Sequence, residues 1–458
     1  MIGSMKTIAL SILLLPSLLL AQVYHPPSPR TMWDTWVYEE KGEYHLFFLQ
    51  SDPGQIWNTI GRAVSRDLIH WQTLPPIESK GPPGAWDHEA TLTGITVKDA
   101  GRYAMFYASA EKNVQRIGVM FSSDLKSWTK HPSNPILLAR GPHYGGSDWR
   151  DLFTWKDARA GLWHAYTCAR TADGRSAISH LTSKDLLDWE YAPPLYVDAG
   201  FSDMEVPEYF AMGGRHYLLM SNVRSRKDLS GRKNAAGTYY FAGDSADGPY
   251  RMTPNSLLLG SGNGRFDVYV GRTLLYGNTR LLYSQTVGGT VSWSTPKVIR
   301  QNGDGSLWLA YWPQLAKLET RELLKTNQVA AGKLPITIGD AMITVRVDLG
   351  RSESASISWR PGTAVTLDAE AGKVSILQPG APSDEILVSG LGTHPHQLRL
   401  FLRARRAEVY LDDRWLFNTL LKGPATPGFV ELSGKARFRQ LRVAELEPLD
   451  PLAAQPAR

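Results

Sequence analysis

The sequence predicts an all-β protein, a five-bladed β-propeller followed by a C-terminal antiparallel β-sandwich. Two repeats and one change of pattern lead there. A glycine-then-aromatic strand recurs as "GEYHLFFLQS" from Gly42, "GRYAMFYASA" from Gly101, "GLWHAYTCAR" from Gly161 and "GRHYLLMSNV" from Gly214, and weakly as "NTRLLYSQTV" from Asn278. Intervals of about 60 residues with several short strands each are the spacing of propeller blades. Out of phase with it, "SRDLIHW", "SSDLKSW" and "SKDLLDW" end at Trp71, Trp128 and Trp189, and a degenerate "SADGPY" ends at Tyr250. From Leu334 onward the chain instead alternates apolar and polar residues, as in "AMITVRVDL" and "HQLRLFLRARRAEVYLDDRW". That alternation is the pattern of an antiparallel sandwich.

The elements follow in order. Residues 1–21 read as an export signal: Lys6 precedes the apolar run "TIALSILLLPSLLL", which ends before Ala21, and Met5 would serve equally as a start. Roughly 14 apolar residues interrupted by Pro16 are too few to span a bilayer, and no second spanning segment follows. Residues 22–318 form the propeller, closing with "GSLWLAYWPQLAKL". In the S-x-D-L-x-x-W units a polar turn precedes an aromatic wedge between blades, so Asp67, Asp124 and Asp185 are read as turn-formers rather than catalysts. Residues 319–333, "ETRELLKTNQVAAGK", read as a linker with helical character; 334–448 are the sandwich, and the Pro- and Ala-rich 449–458 a disordered tail.

Composition narrows the function. A charge of +6 on 458 residues, with basic residues dispersed apart from "RARRA" near Arg403, argues against nucleic acid as a partner. A single cysteine, Cys168, allows no internal disulfide. His88, His143 and His164 are scattered without a zinc-type spacing, and "GSGNGR" lacks the lysine of a phosphate loop, so neither a metal nor an organic cofactor is expected. The 15 Trp and 19 Tyr suit a β-rich core, and some of these rings suit stacking on sugars.

Once the turn aspartates are set aside, three acidic positions have unusual company: Asp34 in "MWDTW", Asp151 in "GGSDWRDLFTW", and Glu205 in "FSDMEVPEYF", with Asp203 and Glu208 as competitors to Glu205. Inner strands of successive blades line the axial channel, where such residues can converge. Cleaving a glycosidic bond needs an acid to protonate the leaving oxygen and a carboxylate to attack or to activate water. Arg150 beside Asp151 would keep that carboxylate ionised, and apolar neighbours would help Glu205 hold a proton.

The same motifs carry a resemblance. "GEYHLFFLQ", "IGRAVSRDLIHWQTLPPI", "GAWDHEATLTGITV", "WRDLFTW", "MEVPEYF" and "LWLAYWPQLAKL" resemble, in order, segments of glycoside hydrolase family 32, the fructan- and sucrose-cleaving enzymes. The likeness covers roughly residues 24–445 as scattered motifs. It implies a retaining mechanism in which Asp34 is the nucleophile and Glu205 the general acid/base, about 5–5.5 Å apart. Asp151 with Arg150 would stabilise the transition state. Trp33, Trp36, Trp57 and Trp86 would wall the pocket, and Asp87 would contact a hydroxyl. The chain departs from the family where "TMWDTWVY" stands for Trp-Met-Asn-Asp-Pro-Asn-Gly, Leu152 for a proline and Val206 for a cysteine. Two alternatives accompany this reading: an inverting arabinan- or xylan-type glycosidase on the same propeller, and a non-catalytic carbohydrate-binding propeller.

Overall fold

The computed structural model describes residues 22–226, 235–262, 265–422 and 428–448. The expected signal segment and the tail lie outside the described residues. Five antiparallel sheets form the blades. Their innermost strands are Thr31–Glu40, Ala90–Asp99, Tyr144–Asp157, Glu205–Met212 and Val268–Tyr276. Each of these contacts the inner strand of the next blade, and the first contacts the last, so the ring is closed. The closure is reinforced from the start of the described chain: Trp293 donates its backbone N–H to Tyr24 at 2.8 Å, and Val23 donates to Trp293 at 3.2 Å.

The repeated S-x-D-L-x-x-W units are turns between the third strand of a blade and its outer edge. In the first, Ser65 Oγ accepts from Leu68 N at 2.9 Å, and Asp67 Oδ1 accepts from Ile69 N at 3.0 Å and His70 N at 2.9 Å. The leucine sits at positive φ in all three: +63° at Leu68, +60° at Leu125 and +70° at Leu186. The serine and aspartate side chains thus satisfy backbone donors that the tight turn would leave orphaned. Each tryptophan then packs on the preceding blade. Trp128 meets Phe47 with ring centroids 6.1 Å apart, Trp189 meets Phe106 at 6.1 Å, and Trp71 meets Trp293 at 5.3 Å. The aspartates therefore serve the architecture.

The second module is a sandwich of two sheets around an aliphatic core that includes Ile343, Val345, Leu367, Leu400, Val409 and Val443. One sheet runs on from the propeller, since Ala310 of blade 5 pairs with Arg414. The sandwich begins earlier than the sequence predicts. The segment expected to be a partly helical linker contains the strand Glu319–Val329, paired with Ala436–Leu446. Helix-favouring Glu, Leu and Lys are overridden there by the unpaired edge of a sheet, which supplies a full ladder of hydrogen bonds.

The two modules are welded by buried polar groups. Lys297 of blade 5 lies 2.7 Å from Glu408 of the sandwich, both fully enclosed. Glu408 also accepts from Tyr410 at 2.9 Å and Asn418 at 2.8 Å. Arg406 reaches back to the carbonyls of Asp267 and Gly288 at 3.0 and 2.9 Å. Removing one member of a buried pair strands the other charge, at a cost of about 3–5 kcal/mol. Lys297→Met is accordingly expected to lower the unfolding free energy measured by urea titration by an amount of that order, and Lys297→Met with Glu408→Gln to recover part of it.

Candidate active site

Each of the five inner strands carries a bulge, and the bulges share one depth along the axis. Pairing with the second strand slips between Trp33 and Thr35, Leu92 and Gly94, Arg150 and Phe153, Glu205 and Glu208, and Tyr269 and Arg272. A bulge leaves a residue out of the ladder and re-aims its neighbours. Asp34, Thr93 and Asp151 are the slipped residues themselves, while Glu205 and Tyr269 flank the slip. The backbone is strained at the same level, with φ of +60° at Asp151, +49° at Val206 and +26° at Val270. Positive φ is costly for a β-branched side chain, and such strain persists where the surroundings over-determine it.

The three carboxylates singled out in the sequence meet here. The hydroxyl of Thr93 donates to Asp34 Oδ2, whereas Asp34 Oδ1 is buried with no protein donor among the described residues. Asp151 Oδ2 accepts from Val206 N at 3.1 Å. Glu205 Oε1 lies 2.8 Å from the Arg150 guanidinium, and Glu205 Oε2 accepts from the Tyr269 hydroxyl. Arg150 also bonds Asp148 at 2.9 Å and stands 3.5 Å from Asp151. Its closest partner within the acid cluster is thus Glu205 rather than the adjacent Asp151. Glu205 is correspondingly held by a cation and a phenol, not by the apolar surroundings that "MEVP" suggests.

Burial lifts the Asp34 carboxyl from 3.8 to about 7; Asp151 and Glu205 add repulsion, against Thr93 and Arg272. Asp151 is lifted to about 6, again chiefly by burial, with Arg150 opposing. The phenol of Tyr269 is pushed well above its ordinary range by burial and by Glu205. Arg272 from blade 5 is a second buried cation at the axis, reaching across to the Gly94 carbonyl at 2.9 Å and to Glu208 at 3.4 Å.

The competitors to Glu205 are committed elsewhere. Glu208 accepts from Thr273 N at 2.9 Å and pairs with Arg272, and Asp203 pairs with Arg170 at 2.8 Å. Among the aromatic candidates, Trp33 stays partly open and packs 6.4 Å from Tyr269, beside the cluster. Trp57 and Trp86 are partly buried on the core shared by blades 1 and 2. Trp36 is corrected: it is 0% exposed, stacks on Phe47 and donates to Thr96 at 3.1 Å, so it is core. Asp87 is corrected as well. It is 3% exposed, its Oδ2 bonded to Lys130 at 2.6 Å and to Tyr107 at 2.9 Å, which makes it a support for blade 2.

Sequence reasoning missed Thr93, Tyr269 and Arg272. A usable signal existed. Thr93 precedes Gly101 by the same offset as Asp34 precedes Gly42, Glu205 precedes Gly213 and Tyr269 precedes Gly277. Reading these inner strands back from their turn glycines would have found Thr93 and Tyr269, whereas Arg272, five residues before Gly277, falls outside that offset.

The family model for the glycosyl hydrolases family 32 N-terminal domain matches residues 34–284, more than half of the chain. The protein belongs to glycosyl hydrolases family 32. It is 28% identical over 362 residues to a β-fructofuranosidase, insoluble isoenzyme 4, of Oryza sativa subsp. japonica, covering 69% of this chain and 58% of that one. It is 26% identical to a fructan 1-exohydrolase of Aegilops tauschii, covering 74% and 62%. The chain thus spans about six tenths of the length of these relatives. Among solved structures, the family 32 β-fructofuranosidase of Bombyx mori superposes with a TM-score of 0.76 at 19% identity, covering 95% and 94% of the two chains. The fructan 1-exohydrolase IIa of Cichorium intybus superposes at 0.74 and 15%, covering 94% and 98%. This family 32 chain therefore has the propeller-and-sandwich fold of those enzymes.

A carboxyl raised by burial favours the folded state while protonated. Asp34 contributes its full stability below about 3.8, and that contribution is lost as the pH rises through about 7. Asp34→Asn removes the penalty and is expected to raise the stability at pH 8 by on the order of 4 kcal/mol, with little change at pH 4, in thermal unfolding at the two pH values.

Proposed function

We propose that the protein hydrolyses terminal β-fructofuranosyl bonds of sucrose or fructans with retention of configuration. The observation that carries this is the axial cluster, in which Asp34 keeps one unpartnered oxygen while Glu205 sits between a guanidinium and a phenol. Asp34 Oδ1 attacks the anomeric carbon. Glu205 gives its proton to the leaving oxygen and then takes one from water, and Asp151 accepts hydrogen bonds from sugar hydroxyls that tighten in the transition state. Trp33 forms an apolar wall beside them. The β-fructofuranosidase and fructan exohydrolase relatives support the substrate class. Export also belongs to this proposal and rests on Lys6 and the apolar run that follows it. No helix among the described residues is long and apolar enough to cross a membrane.

The raised carboxyls fit such a reaction if they are taken as one titrating set. Retention needs one proton in the set, located on Glu205, with Asp34 ionised. With groups near 7 and near 6, the free protein carries about one proton between those values, and it resides on Asp34. Sugar hydroxyls donating to Asp34 and Asp151 stabilise their ionised forms, so binding frees the Asp34 carboxylate for attack. The kcat/KM profile is therefore expected to be bell-shaped. Activity falls above about pH 7 as the last proton leaves and below about pH 6 as a second is added.

The reading is tested by hydrolysis of sucrose, inulin, levan, arabinan, xylan and aryl glycosides. Turnover on the fructosides is expected, with Glu205→Gln lowering it by about 10²–10⁴-fold and Asp34→Asn by at least as much. The anomer first formed identifies Asp34 as nucleophile if configuration is retained and as base if it is inverted. Sugar binding without turnover in wild type and both variants would make the propeller a binding module.

A further inference from the structure

Away from the axis, a cleft of about 520 Å³ lies between blades 4 and 5 and the sandwich. Leu257 and Trp308 line its propeller side, and His394, His396, Asp412 and Arg414 line its sandwich side. His394 and His396 flank Pro395 at the end of the loop that follows Gly390, and Asp412 lies in the next hairpin turn at φ +49°. One atom from each of the three side chains falls within a single sphere of mutual reach, 4.8 Å or less.

The hydrogen bonds around the two imidazoles fix which nitrogens face inward. The hydroxyl of Thr393 donates its single proton to the Gly390 carbonyl at 2.6 Å. Toward His394 Nδ1, 3.0 Å away, that hydroxyl can therefore only accept, so Nδ1 carries the hydrogen. Nε2 of His394 is then a bare lone pair, 4.0 Å from Asp412 Oδ2. His396 Nε2 donates to the same Gly390 carbonyl at 3.3 Å, and Nδ1 donates to Asp412 Oδ2 at 2.7 Å, an ion pair whose shared proton a metal ion would replace. The other oxygen of Asp412 is held by Gln397 N at 2.8 Å. Each ring thus spends its outer N–H on an oxygen acceptor, and Asp412 is oriented by a backbone donor. This is the supporting arrangement found around metal-bound imidazoles. His394 Nε2, His396 Nδ1 and Asp412 Oδ2 thus converge, and a cation that displaces the proton shared by His396 and Asp412 meets all three.

We propose that His394 Nε2, His396 Nδ1 and Asp412 Oδ2 bind a divalent transition-metal ion, with zinc the best match, the remaining position being open to the cleft. Two imidazoles and one carboxylate suit zinc and its neighbours and are poor for calcium or magnesium, which require oxygen ligands. The sequence-based expectation of no metal rested on missing zinc-type spacings, and His-Pro-His with a distant aspartate falls outside them. The position gives the ion a task. The adjoining Asp413 accepts from Tyr311 N at 2.8 Å, and the next residue, Arg414, pairs with Ala310. Metal binding pins the Gly390 loop to the very turn through which the sandwich grips blade 5. The site is independent of the axial carboxylates.

The test is calorimetric titration of the full chain, stripped with EDTA, with zinc chloride alone, alongside thermal unfolding with and without zinc. Wild type is expected to bind one zinc ion and to melt at a higher temperature when it is present, since a ligand specific for the folded state stabilises it. His394→Ala and Asp412→Asn alter exposed groups and leave the fold intact. Each is expected to weaken zinc binding at least ~10-fold and to abolish the melting shift. Calcium chloride is expected to produce neither effect. Absence of zinc binding by wild type would overturn the proposal and leave His396 and Asp412 as a plain ion pair. Binding that both variants retain would overturn it too, and would point to the separate group of His164, His180 and Asp247.

Discussion

Three carboxylates buried around one axis repel each other, and the centre of this molecule is organised to make that tolerable. Two guanidinium groups, Arg150 and Arg272, are sunk among them. Arg150 ties Glu205 to Asp148, while Arg272 ties Glu208 to a carbonyl on the opposite side of the ring. The hydroxyls of Thr93 and Tyr269 fill what the cations cannot reach. None of these groups could aim inward from a regular strand at the required depth, so every inner strand gives up its register there. The rest of the propeller, with turn aspartates and interblade tryptophans repeated around it, is regular and can hold that irregular centre in place.

This division explains what could be read from the sequence. Features that recur were legible: the glycine-then-aromatic strands, the serine–aspartate turns, and the alternation of the sandwich. Asp34, Asp151 and Glu205 were visible because each breaks an apolar or aromatic stretch. The identity of their partners was not visible, because pairing across a ring joins residues from different blades, as Tyr269 joins Glu205. Arg150 shows the limit well, since sequence adjacency suggested Asp151 and geometry chose Glu205. Trp36 misled for a related reason: neighbours along a bulged strand do not share a face, so one tryptophan of "WDTW" flanks the cluster and the other is core. Glu319–Val329 misled because an edge strand exposed on both faces carries little alternation to read.

The sandwich is not an appendage. Its Arg406 and Glu408 complete polar groups of blade 5, and Met342 and Phe401 share an apolar cluster with Trp71 and Trp293 of the propeller. A charge-bearing interface of this kind is specific rather than adhesive, because each buried group accepts only one arrangement of partners.

The ring closes where Val23 and Tyr24 bond to Trp293, joining two stretches of chain separated by nearly the whole propeller. A contact so distant in sequence forms late, since loop-closure entropy opposes it until the intervening blades exist. Before that moment Asp34 and Tyr269 sit at opposite ends of an open arc. The acidic centre is therefore a property of the finished circle alone. A partly synthesised chain holds all but the last of its parts without the arrangement that joins them.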